Sequence, residues 1–137
     1  MVEATATSRS IRTSAQKAGL VLDLIRGKDV TQALATLKFS TKGVARSIHT
    51  LLRSAIANAQ QAEGFGGDVE RLFVSAAYAD QGSSFKRVRP APMGRAFRVV
   101  KRTAHLTVQV TERPVRRRAP APSKPRARKS AGAGSSN

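Results

Sequence analysis

The chain has no cysteine and no tryptophan, and only eight of its 137 residues are acidic. Without cysteine there are no disulfides, no thiolate-based zinc site and no thiol nucleophile, which fits a reducing compartment. With aromatics at 4 %, the rows of stacking rings used by general single-strand binders are scarce. The acids Glu3, Asp23, Asp29, Glu63, Asp68, Glu70, Asp80 and Glu112 are scattered, so no carboxylate pair is spaced for acid–base work. His49 and His105 have no second ligand at metal-binding spacing. The glycines of Gly64–Gly67 follow a helical pattern and precede no Lys-Ser/Thr, so they read as a helix stop and not a phosphate loop. No apolar run reaches the ~20 residues that span a bilayer. The N-terminus lacks the charged-then-apolar plan of a secretory signal and reads as a mature start. Catalysis, a cofactor, a metal and a membrane span are therefore not expected.

Cations, by contrast, are abundant. Lys and Arg number 25, for a formal charge of +17 and a pI near 11.9. That much like charge points to a polyanionic partner whose counterions are released on binding; an anionic membrane surface is the other candidate. The charge is not uniform. From Gln81 to Thr111 there are seven cations (Lys86, Arg87, Arg89, Arg95, Arg98, Lys101 and Arg102) and no acid, with Gly82, Pro90, Pro92 and Gly94 breaking any helix. After Glu112, Arg and Lys are mixed with Pro, Ala and Ser and there is no core-forming pattern, which reads as a disordered basic tail, residues 113–137.

The rest reads as a small α+β domain. A short edge strand is expected near Ser8–Arg12. A helix is expected over Ser14–Arg26, capped by Thr13 with Gln16 in a capping box, with Ala18, Val21, Leu22 and Ile25 on one face. Asp29 caps a second helix with the stripe Val30, Ala33, Leu34 and Leu37, and Phe39 packs across the following turn. The longest helix spans about Lys42–Ala62, capped by Ser40 or Thr41, with Val44, Ile48, Leu51, Leu52, Ala55, Ala59 and Ala62 in helical rhythm. Its stripe tapers to alanine, which predicts a closely packed sheet there. Arg71–Asp80 reads as a strand with Leu72, Val74, Ala76 and Tyr78 on one face; His105–Val110 reads as another, with Leu106, Val108 and Val110 inward. These two strands pair antiparallel around the basic middle, giving an arm that leaves the body.

A solvated face is the plain reading of a charge run. Here the cations alternate with Val88, Met93, Phe97 and Val99, so the segment offers apolar contacts as well as charge. Arg predominates, which suits planar bidentate phosphate contacts and stacking. Ten extended residues per side at ~3.3 Å reach about 30 Å, enough to enter a folded RNA. Alone, such a hairpin is expected to sample many shapes and to become ordered when phosphates surround it.

Five blocks, SAQKAGLVLDLIRGK (Ser14–Lys28), LKFSTK (Leu37–Lys42), SAIANAQ (Ser54–Gln60), LFVSAAYADQG (Leu72–Gly82) and FKRVRPAPMGRAFRVVKRTAHLTVQV (Phe85–Val110), follow the order and spacing of the large-subunit ribosomal protein L-twenty-two family, bacterial type, which the chain resembles from about Arg9 to Glu112. The resemblance implies three helices packed on a three-stranded antiparallel sheet with a long β-hairpin. It implies a structural constituent of the large ribosomal subunit that binds large-subunit (23S-type) rRNA, supports assembly and lines the nascent-peptide tunnel with its hairpin tip. Ribosomal protein L-four near the tunnel constriction and the nascent peptide are the further partners it implies; no homo-oligomer is expected, and the expected location is the cytoplasm, an organellar ribosome being disfavoured by the short N-terminal extension. The domain then covers residues 1–112, with its hairpin at 80–104. On this sequence the expected rRNA-binding residues are Arg12, Lys17, Arg26, Lys28, Lys86, Arg87, Arg95, Arg98, Lys101, Arg102 and His105, and the expected tunnel-lining tip is Arg89, Pro90, Ala91, Pro92 and Met93. The family's basic–Ala–basic run after the proline is Ala91, Pro92, Met93 here, so the tip has less charge and a second proline; separately, its Thr-Ser-His is Thr103, Ala104, His105. The alternative reading is a nucleoid-type DNA architectural protein that inserts Pro90 or Pro92 between base steps.

Overall fold

In the computed structural model, residues 2–114 are described; the basic tail expected after Glu112 lies outside them from residue 115 onward. The order is β1 (Glu3–Ile11), α1 (Ala15–Ile25), α2 (Val30–Phe39), α3 (Gly43–Gln61), β2 (Leu72–Pro90) and β3 (Ala96–Glu112). The strands form one antiparallel sheet in the order β1–β3–β2, and the helices pack on one of its faces. β3 is central, and its Ala104, Leu106, Val108 and Val110 are completely buried. Leu22 and Ile25 of α1, Val30 of α2, and Ile48 and Leu52 of α3 close the core from the helical side. This is the helix-on-sheet layering expected of an α+β domain.

The tapering stripe of α3 meets the sheet as anticipated. Ala55 and Ala59 share the core with Ala4 and Ala6 of β1, so small side chains on both elements allow a close approach. Asn58 fixes the contact by donating from Nδ2 to the Thr5 carbonyl at 3.2 Å.

Several local expectations are corrected. α1 starts one residue later than read: Ser14 is the cap, its Oγ accepting the Lys17 N–H at 3.3 Å, while Thr13 is buried and Gln16 is exposed. Asp29 stands at the N-cap of α2 but makes no cap bond; its carboxylate pairs instead with Arg113 at 2.9 Å. Lys42 is the cap residue of α3, with Ser40 Oγ accepting the Lys42 N–H at 3.4 Å. Phe39 packs across nothing and is 82 % exposed. β1 is longer than the short edge strand read from the sequence.

The inward set of β2 also differs. Leu72 and Val74 point to the core, but the register slips between Val74 and Ala76, leaving Ser75 as an extra residue. Beyond this bulge the inward positions are Ala77 and Ala79 rather than Ala76 and Tyr78; Ala77 is buried and Tyr78 is half exposed. An extra residue shifts side-chain phase by one, so every later side chain changes face.

β2 and β3 do not stop at the edge of the body. β1 makes its last pair with β3 at Ile11–Ala104, whereas β2 and β3 stay paired to Pro90–Ala96. The arm is thus the overhang of two sheet strands beyond the end of the third.

Candidate nucleic-acid interface

The arm is set on the body by a compact root. A second bulge lies in β2 between Gln81 and Ser84, and Gly82 sits in it. A Cβ at Gly82 would stand 2.6 Å from Thr103 Oγ1 and 3.3 Å from the His105 ring, so only glycine fits. Thr103 is buried and donates from its hydroxyl to the Ser83 carbonyl. His105 is half-buried and its Nδ1 accepts the Ser10 N–H at 3.0 Å. Ser10 has φ 57°, the left-handed conformation of the β1 irregularity, and this turns its N–H toward the ring. Gly82, Thr103, His105 and Ser10 together tie all three strands where the arm departs.

Beyond the root the register has a simple rule. Phe85 faces Lys101, Lys86 faces Val100, Arg87 faces Val99, Val88 faces Arg98 and Arg89 faces Phe97. Each of these consecutive pairs joins one cation to one apolar residue. Directly opposed like charges destabilise a sheet pair, and none occurs on the arm. The charge is also shared between faces. Lys86, Arg98 and Arg102 lie on the face continuous with the core side of β3; Arg87, Arg89 and Lys101 lie on the other. Apolar surface is likewise exposed on both, with Val88 at 75 % and Phe97 at 60 %. Among the described residues the ion pairs are Arg26–Asp23, Arg71–Glu112 and Arg113–Asp29, all in the body. The arm's cations have no acid to neutralise them.

The tip is a tight turn over Ala91–Arg95, closed by Ala91 N–H donating to the Arg95 carbonyl at 3.0 Å. Met93 and Gly94 take φ 61° and 68°; for methionine that conformation costs about 1 kcal/mol. The Met93 side chain is 95 % exposed. Of the residues expected to form the tip, Ala91, Pro92 and Met93 form this turn with Gly94 and Arg95, while Arg89 and Pro90 still pair with β3.

The expected contact residues in the body separate into three groups. Arg12, Lys17 and Arg102 line one open groove at the arm's base with Gln81, and Arg12 Nη1 donates to the Arg102 carbonyl at 2.8 Å. Arg26 faces elsewhere and is occupied: Nε and Nη2 donate to the Ala77 carbonyl and Nη1 pairs with Asp23 at 2.6 Å. Lys28 is exposed, while its carbonyl accepts the Val74 N–H. Lys86, Arg87, Arg95, Arg98 and Lys101 all lie on the arm and are exposed. Among the described residues no group of His, Cys, Asp or Glu could hold a metal ion, and no helix is long and apolar enough to cross a membrane.

The sequence reading missed that Gly82 packs against Thr103 and His105 in a bulge at the root; a glycine inside a strand pattern is the signal for a bulge or close approach. It also missed the clasp at the far end of β3. There Arg71 pairs with Glu112 at 2.9 Å and donates to the Arg113 carbonyl at 2.8 Å, and Arg113 lies over the Phe73 ring at 5.2 Å.

Residues 6–111 match the family Ribosomal protein L22p/L17e. The chain belongs to that family. It is 50 % identical over 108 residues to "Large ribosomal subunit protein uL22" of Solibacter usitatus, covering 79 % of this chain and 95 % of that protein. The protein of the same name in Clostridium novyi is 44 % identical over 112 residues, covering 82 % and 99 %, and that of Koribacter versatilis 47 % over 116 residues, covering 82 % and 70 %. The L22p/L17e family is a structural, non-enzymatic component of the ribosome.

Proposed function

We propose that this chain is a structural component of the large ribosomal subunit that binds rRNA by inserting its arm between RNA segments. The observation that carries the reading is the arm's register: five consecutive cation–apolar pairs, charged on both faces and unneutralised. One RNA surface could engage one face only, so the arrangement fits a strand pair enclosed by RNA. Lys86, Arg87, Arg98, Lys101 and Arg102 hold phosphates along the shaft, and Arg95 does so beside the turn. Arg12 and Lys17 extend this track into the groove at the base, and Lys28 is a separate contact on the body. Arg26 and His105 act by position: one ties α1 to β2, the other fixes the root.

The turn, with exposed Met93 and neighbouring prolines, lines the nascent-peptide tunnel near ribosomal protein L-four. Residues 1–112 form the folded domain and 113–137 add a further basic contact in the cytoplasmic ribosome. Sedimentation tests the reading: in moderate salt the protein should travel with large subunits, and recovery with the nucleoid would reject it in favour of a DNA architectural role. Removing residues 115–137 should weaken rRNA binding and flatten its salt dependence, because phosphate contacts are lost; an unchanged slope would remove the tail from the interface.

A further inference from the structure

The turn between α2 and α3 carries a second basic concavity. Lys38, Thr41, Lys42, Arg46, His49 and Thr50 line an open cleft of about 550 Å³, and Leu37, only 3 % exposed, closes its apolar side. No acid lines it. The contrast with the body's other arginines is informative. Arg26, Arg71 and Arg113 each have a carboxylate partner, whereas no ion pair among the described residues involves Lys38, Lys42 or Arg46.

Phe39 stands between the lining residues Lys38 and Ser40 and is 82 % exposed, more than any other aromatic ring in the described chain. The fold gives it nothing to cover it. Cations around a concavity with an uncovered ring beside it match the two parts of a nucleotide, a phosphate and a base with a π-face. An acidic peptide would answer the charge and leave the ring without a partner.

We propose that the α2–α3 cleft is a second RNA site, in which Lys38, Lys42 and Arg46 hold phosphates of a single-stranded or looped segment and Phe39 stacks on one of its bases. This rests on the rRNA-binding reading above but uses none of the residues assigned there.

The test measures binding of the full chain to transcribed bacterial large-subunit rRNA across a salt series. Lys42→Ala with Arg46→Ala should lower the slope of log K against log salt by about 1.4, at ~0.7 per single-strand phosphate. Phe39→Ala should weaken binding about tenfold with the slope unchanged, because stacking releases no counterions, and Phe39→Tyr should restore it. All these side chains are exposed, so thermal midpoints should stay at the wild-type value. If the cleft variants keep wild-type affinity and slope while Arg87→Ala with Arg98→Ala loses both, the cleft proposal fails and the arm reading stands. A wild-type protein with no salt-dependent rRNA affinity would sink both. Unchanged rRNA binding with poor incorporation into subunits would assign the cleft to an acidic protein partner, against the proposal.

Discussion

β2 and β3 run through both the body and the arm, yet the same two strands solve opposite problems in the two places. In the body they turn aliphatics toward the helices, and Leu72, Val74, Leu106, Val108 and Val110 are completely enclosed. In the arm each strand sets cations opposite apolar residues of the other, and Lys86 to Pro90 are all exposed. The body is stabilised by burial within the chain. The arm has no third layer, so its apolar side chains gain cover only from a partner. What it retains alone is backbone pairing without directly opposed like charges. An isolated two-stranded ribbon is marginal in water, so the root that fixes its direction carries more weight than any residue along the shaft.

This contrast orders the expected effects of mutation. Leu106→Ala, at a fully buried position of the central strand, should cost about 2–5 kcal/mol in denaturant unfolding of the free protein. A loss below 1 kcal/mol would mean that the core is less tightly packed than described. Gly82→Val should come next, at about 1–3 kcal/mol, because its side chain meets Thr103 and His105. Its sharper signature is a shift of the His105 and Ser10 resonances, as the root is pushed apart. Arg113→Ala removes the Asp29 pair and the Phe73 contact, both partly exposed, and should cost about 1 kcal/mol or less. Val88→Ala on the arm should be smallest, within ~0.5 kcal/mol in the free protein, while weakening rRNA binding. A large destabilisation of the free protein by Val88→Ala would show that the arm folds back on the body in solution.

Much of the fold was legible because its signals are periodic. The three helices, the Leu106–Val108–Val110 face and the arm between two strands all follow from spacing, and the alanine taper of α3 pointed correctly to the sheet. What escaped the sequence was set by single residues. Ser75 reverses the phase of β2 because a bulge leaves the composition unchanged while shifting register. Asp29 has the chemistry of a cap and spends it on Arg113, a partner 84 positions away. Arg26 and His105 also make long-range hydrogen bonds, to the Ala77 carbonyl and the Ser10 N–H, that nothing in their local sequence announces. The arm cations were visible as a charge run; that no two oppose one another is a property of pairing, which only the register reveals.

In the proposed complex, RNA surrounds the arm on both faces. This is tested most directly by placing a photo-crosslinking residue at Val88, on one face, or at Phe97, on the other, and irradiating assembled large subunits. Crosslinks to rRNA from both positions are expected. Crosslinks from only one face, or to protein alone, would contradict the account.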